Sequence, residues 1–139
     1  MRISTKGRYG LAAMLSLAQK TAGSSVSDIS VELGISKIYL EQVFALLKKA
    51  GLIKSQKGAG GGYSLSAPPD SVTVYSVLKA TEAALFEPTP ASLNLQSQDL
   101  ESILFERVWI PIDNKLSEFL SSVTLGDILP PGNEQMFYI

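Results

Sequence analysis

Residues 25–66 read SVSDISVELGISKIYLEQVFALLKKAGLIKSQKGAGGGYSLS, and the order of signals in this stretch decides the fold. A short helical pattern runs from Ser27, taken as its N-cap, to Leu33. Gly34 then supplies the positive φ that a sharp turn between helices needs. Ser36 caps a second helical pattern that continues to about Ala50, and Gly51 stops it. Ile29, Leu33, Ile35, Leu40 and Val43 surround the glycine at spacings that let two crossing helices share a small core. Read alone, this is either a helix-turn-helix or an ordinary αα-hairpin.

The residues that follow separate the two. Residues 52–56 and 63–66 are short and strand-like, and between them lie Lys57-Gly58-Ala59-Gly60-Gly61-Gly62. Four glycines in five residues leave little side-chain bulk, so the backbone can approach another surface closely. A glycine-rich nucleotide loop is the rival reading. It lacks the Gly-x-Gly-x-x-Gly spacing opening into a helix, and it lacks a closing Gly-Lys-Ser/Thr. The stretch therefore predicts a helix-turn-helix with a wing. The outward face of its second helix carries Ser36, Lys37, Tyr39, Glu41 and Gln42, side chains able to meet base edges and phosphates in a major groove. Lys57 is placed to reach a minor groove or a phosphate, and Gly60 and Gly61 to bring backbone close to it.

On the N-terminal side, residues 4–22 read as a helix capped by Ser4, with Leu11, Met14, Leu15 and Ala18 as its apolar stripe. Arg2, Ser4, Lys6 and Arg8 cluster at its start, where a helix N-terminus favours an anion. Phosphate contact and a solvated basic face are both open for these residues. On the C-terminal side, residues 72–84 predict a further helix, and 85–97 an irregular hinge in which Pro88 and Pro90 forbid helix. Residues 98–122 then show sustained helical periodicity. Leu104, Val108, Trp109, Ile112, Leu116, Phe119 and Leu120 form an apolar stripe that suits a second copy of the chain; the alternative is a helix folded back on its own head. Pro111 in mid-pattern removes a backbone donor and predicts a kink near 107–111. The expected fold is mainly α with a small β-wing: a winged helix-turn-helix head (1–84), a hinge loop (85–97), a long dimerisation-helix region (98–129) and a C-terminal tail (130–139).

Composition agrees with this plan and excludes others. The chain has 139 residues, 45% of them hydrophobic, enough to bury a core. It contains no Cys and no His, which removes disulfides, thiolate-held clusters, Cys/His zinc sites and His-based catalysis. With no evident carboxylate constellation either, no catalytic residues, cofactor or metal site are assigned, and an enzyme is not expected. Residues 1–79 hold ten Lys and Arg against four Asp and Glu; residues 80–139 hold two against nine. Barring chance segregation, a basic half joined to an acidic half suits a protein with one phosphate-facing end. The absence of an apolar leader or spanning run makes the cytoplasm the expected location.

Several of these residues together resemble the Rrf-two family of bacterial winged-helix repressors: residues 2–10, Tyr39-Leu40-Glu41-Gln42, Ala50-Gly51-Leu52-Ile53, Gly60-Gly61-Gly62-Tyr63, and Trp109 ahead of Thr124-Leu125. The resemblance implies a homodimer held by the long helix, two heads on a near-palindromic double-stranded DNA, recognition through Ser36, Tyr39, Glu41 and Gln42, and a basic wing residue at Lys57. The family's iron–sulfur members carry cysteines between head and long helix, where this chain has none. Its long helix and its ending, Met136-Phe137-Tyr138-Ile139, look similar to the cluster-free cysteine-metabolism branch. That similarity implies repression of cysteine and sulfur-metabolism genes. It also implies docking of Met136, Phe137, Tyr138 and Ile139 in cysteine synthase (O-acetylserine thiol-lyase), with the Ile139 carboxylate mimicking that of the amino-acid substrate. Packing of the tail on its own dimer, a small-ligand sensor with a pocket between head and long helix, and a protein–protein adaptor are the alternatives.

Overall fold

A computed structural model describes residues 1–58, 61–93, 96 and 98–130. Its elements, in chain order, are α1 (Thr5–Ala18), α2 (Val26–Leu33), α3 (Lys37–Lys49), β1 (Ile53–Gln56), β2 (Gly62–Leu65), α4 (Val74–Thr81), α5 (Gln98–Leu104), a π-helical turn (Phe105–Trp109), α6 (Ile110–Ser122) and α7 (Leu125–Ile128), with 3-10 turns at Pro69–Ser71 and Ala83–Phe86. This is the expected mainly helical fold with a two-stranded wing.

The turn at its centre is built by local chemistry. Gly34 ends α2 at φ 66°, ψ 30°, the left-handed conformation that costs a side chain dearly. Ser36 Oγ accepts the N–H of Tyr39 and caps α3. Gly51, at φ 76°, ends α3 and turns the chain into β1. One core lies beneath: Met14 and Leu17 of α1, Ile29 of α2, Leu40, Val43, Phe44 and Leu47 of α3, Ile53 of β1, Val77 of α4 and Leu125 of α7 are all buried. Phe44 meets the ring of Tyr63 edge-on at 5.0 Å, which fixes the wing against the recognition helix.

Helix α4 ends at Thr81 rather than 84, followed by the 3-10 turn at Ala83–Phe86, and three other boundaries differ from the sequence reading for a tertiary reason. Ser25, not Ser27, caps α2, its Oγ accepting the N–H of Asp28 at 3.0 Å. Helix α1 ends at Ala18 rather than 22, because Ser24 must be extended: it forms an isolated bridge with Tyr63, exchanging N–H···O bonds of 2.9 and 2.7 Å. Helix α4 starts at Val74 rather than 72, because Val72 is extended and its carbonyl accepts the N–H of Leu125 at 2.8 Å.

The long helical segment is divided as Pro111 requires. Bonding switches to the wider π register over Phe105–Trp109, with Ile110 N–H donating to Phe105 O, and α-helix resumes with Pro111 in its first turn, where a missing donor is tolerated. Its apolar stripe is also divided. Leu120, expected in a stripe for a second subunit, is instead buried against Val74 and Leu78 of its own head, with Leu116 and Val123 beside it. Folding back thus holds for the last turns of α6. Leu100, Ile103, Leu104, Ile110, Ile112 and Phe119 stay exposed, and Val108 and Trp109 are half-buried. Among the described residues no helix is long and apolar enough to cross a membrane.

Candidate nucleic-acid interface

Helix α3 buries Leu40, Val43, Phe44 and Leu47, and these fall on one side at 3.6 residues per turn. Lys37, Glu41 and Gln42 are consequently exposed on the other side, and Ser36 is exposed at its head. Tyr39 is different. It is half-buried, its ring meeting that of Tyr9 edge-on at 5.3 Å. This pair holds the second turn of α1 against the first turn of α3. The basic residues Lys6 and Arg8, both exposed, therefore stand beside the start of the recognition helix. Arg8 Nη2 donates to Thr5 Oγ1 at 3.2 Å, and Arg2 is exposed. The N-terminal cluster and α3, distant in sequence, become one surface through Tyr9 and Tyr39.

Ser4, exposed beside these residues, is the N-cap of α1. Its Oγ accepts the N–H of Gly7 at 3.3 Å, and its own N–H donates to Glu82 Oε1 at 2.6 Å. The anion expected at the α1 N-terminus is thus supplied from within the chain, by a carboxylate at the end of α4. The favourable dipole end is already filled. Glu82 Oε2 is buried with no hydrogen-bond partner among the described residues and lies over Gly7, where a Cβ would come within 2.5 Å of it. No sequence pattern pointed to Glu82, since its partner lies 78 residues away.

The wing is an antiparallel hairpin in which Ile53 pairs with Leu65 and Gln56 with Gly62. Lys57, at the base of the wing loop, and Gly58 are exposed, and Gly60 lies outside the described residues. Gly61 has a steric role: a Cβ there would lie 2.8 Å from the carbonyls of both Gln56 and Gly58, so the turn closes only on glycine. Lys48 Nζ donates to Ser55 Oγ at 3.3 Å, tying the end of α3 to β1. The residue the sequence reading missed is Ile38. It sits in the first turn of α3 and is 72% exposed. The sequence reading did not single it out, although helical periodicity sets it opposite Leu40 and Leu47.

Comparisons with known proteins agree with this geometry. The Rrf2 family profile, described as "Iron-dependent Transcriptional regulator", matches residues 3–131. The HTH-type transcriptional regulator IscR of Vibrio campbellii is 36% identical over 131 residues, covering 93% of this chain and 77% of that protein. The structure of CymR (YrzC), the global cysteine regulator of B. subtilis, superposes with a TM-score of 0.75 at 35% identity, covering 93% of this chain and 96% of that one. The T. potens IscR structure gives a TM-score of 0.71 at 34% identity, covering 93% and 86%. The iron in the family description was tested against the donors present. The chain has no Cys or His, and among the described residues no group of three or more acidic side chains could hold a metal ion. The donor set does not fit iron or a cluster. With a profile match across nearly the whole chain and relatives that are regulators rather than enzymes, the chain belongs to the Rrf2 (Rrf-two) family of DNA-binding transcriptional regulators.

Proposed function

We propose that this regulator is a homodimeric repressor of genes for cysteine and sulfur metabolism, binding a near-palindromic operator and working without an iron–sulfur cluster. The observation that carries the reading is the pairing of its likeness to the B. subtilis global cysteine regulator with a chain that holds no Cys or His. Dimerisation is supported by the exposed apolar side chains of the long helical segment, Leu104, Ile112 and Phe119 among them, beside half-buried Val108 and Trp109. Contiguous exposed side chains of this size mark an interaction surface. Arg2, Lys6, Arg8, Lys37, Glu41, Gln42 and Lys57 would then face the operator, with Tyr39 packed on Tyr9 at its edge.

Control would come through the tail. Met136, Phe137, Tyr138 and Ile139 lie outside the described residues, so this part of the reading rests on sequence. The bulky apolar run Met136, Phe137, Tyr138 and Ile139 suits docking in cysteine synthase, and O-acetylserine would compete for the same site. Reciprocal linkage then makes occupancy of the enzyme report sulfur status.

Genome-wide footprinting of the purified regulator tests the reading. Sites upstream of cysteine and sulfur-assimilation genes are expected. Sites concentrated instead at iron–sulfur assembly genes would overturn it. Calorimetric titration with cysteine synthase tests the tail: removal of Tyr138 and Ile139 should abolish binding with the dimer intact, and unchanged binding would sink that part alone.

A further inference from the structure

We infer that Ile38 reads thymine: its side chain contacts the C5-methyl group of a thymine in each half-site, and so sets base preference at that position. The inference rests on the DNA-binding reading of α3 and sharpens it.

Ile38 lies on α3 nearly opposite the buried residues Leu40 and Leu47, as helical geometry at 100° per residue requires. It shares its face with Gln42 and Ala45, both exposed. It is 72% exposed on a helix whose other outward residues are polar or small. A branched aliphatic side chain held in water is unfavourable, and the exposure is relieved only if the bound surface offers apolar area.

A major groove offers one such group, the thymine methyl; the other base edges present hydrogen-bond donors and acceptors. The placement fits that partner. In a helix-turn-helix the N-terminal residues of the second helix are those that contact base edges. Ile38 is the second residue of α3, one turn before Gln42. Ala45, a turn further on, leaves the helix backbone free to come close. Polar Gln42 and apolar Ile38 side by side thus give one helix face both means of reading an A·T pair or its neighbour.

The test uses the whole protein and duplex DNA that the protein itself selects from a random-sequence library. Each thymine of the selected site is replaced in turn by deoxyuridine, which lacks only the methyl. The unchanged protein and Ile38→Ala are compared on every duplex. At one symmetry-related thymine pair, deoxyuridine should weaken the unchanged protein about fourfold per half-site, the factor that burying one methyl-sized group implies. Ile38→Ala should bind the two duplexes equally and should melt at the same temperature as the parent, since the residue is exposed. The inference is overturned if the selected half-site holds no thymine, if no deoxyuridine weakens binding, or if Ile38→Ala keeps the full methyl sensitivity. It is also overturned if Ile38→Ala dissociates the dimer while leaving methyl sensitivity intact, which would make Ile38 a subunit contact. Failure to select any sequence would instead remove the DNA-binding reading on which it stands.

Discussion

The backbones of Thr73 and Thr124 form an isolated antiparallel bridge, flanked by Val74 N–H donating to Val123 O at 2.9 Å and Leu125 N–H donating to Val72 O at 2.8 Å. This bridge joins the entry of α4, in the head, to the exit of α6. It is what orients the long helical segment relative to the recognition helix. Leu125, fully buried just beyond it, locks the join into the main core, and Thr124 and Asp127 close a capping box around the start of α7. Leu125→Ala should therefore destabilise the protein by about 2–5 kcal/mol, as Leu→Ala does in well-packed cores. Urea denaturation checks this; a loss under 1 kcal/mol would mean that the join is loose.

At Gly10, α1 packs tightly against α4. A Cβ at Gly10 would lie 2.8 Å from Thr81 Cγ2, and Thr81 is itself buried with its Oγ1 donating to Val77 O at 2.9 Å. In an uncrowded helix, Gly→Ala gains up to about 1 kcal/mol from helix propensity. Here the threonine cannot swing away without breaking its bond, so the sign should reverse, to a net loss of roughly 1–3 kcal/mol. A rise in melting temperature for Gly10→Ala would show that the helices have room to part.

Lys20 Nζ lies 2.7 Å from Glu32 Oε2, which also accepts from Ser16 Oγ at 2.9 Å. The Lys20 hydrogen bond, helped by the Ser16 hydroxyl and the lysine charge and opposed by partial desolvation, holds the Glu32 carboxyl below the usual glutamate range. The proton is then bound less tightly in the folded than in the unfolded chain. The stabilisation is fully present above about pH 4.3, the ordinary glutamate value, and is lost as pH falls through the lowered one. The side chains remain 32% and 39% exposed, so solvent screening keeps the contribution at about 1 kcal/mol or less. Glu32→Gln should be the less stable protein at pH 7, and the gap should close on acidification. A gap that persists at pH 2.5 would locate the effect in packing instead.

Lys57 is exposed at the base of the wing. If it meets a phosphate, Lys57→Ala should weaken binding uniformly across operator sequences and reduce the salt slope by about 1 per half-site. Equal affinity and slope would remove Lys57 from the interface. A loss confined to some sequences would make it a base reader.

The parts of the fold legible in the sequence are those that neighbouring residues encode. Ser36 as cap, Gly34 and Gly51 as left-handed stops, and the glycine run of the wing each act over three or four residues, and each stands where it was read. The sequence marked the neighbourhood of Pro111 as irregular for the same reason, since the missing donor is local, and the irregularity found there is a π-helical turn. Ser25 was missed because Ser27 is an equally good cap by type. Only the pairing of Ser24 with Tyr63, reached across the core, sets where α2 begins.

The interface was partly legible. Lys37, Glu41 and Gln42 were placed by helical periodicity, which tells a polar face from an apolar one. That same rule sets Ile38 outward, where it is 72% exposed, but it could not show that the Ser4 N–H is held by Glu82.

By itself, then, the sequence determined that there is a capped helix pair, a glycine-closed wing and a long interrupted helix, because caps, turns and periodicity are short-range. Which surfaces meet was decided only by the tertiary structure: Tyr9 on Tyr39, Glu82 on the start of α1, Thr73 beside Thr124, and Leu120 against Val74 and Leu78. The physical reason is that apolar burial is non-directional. A periodic stripe states that a side chain will leave water, and only the packed chain determines the partner it meets there.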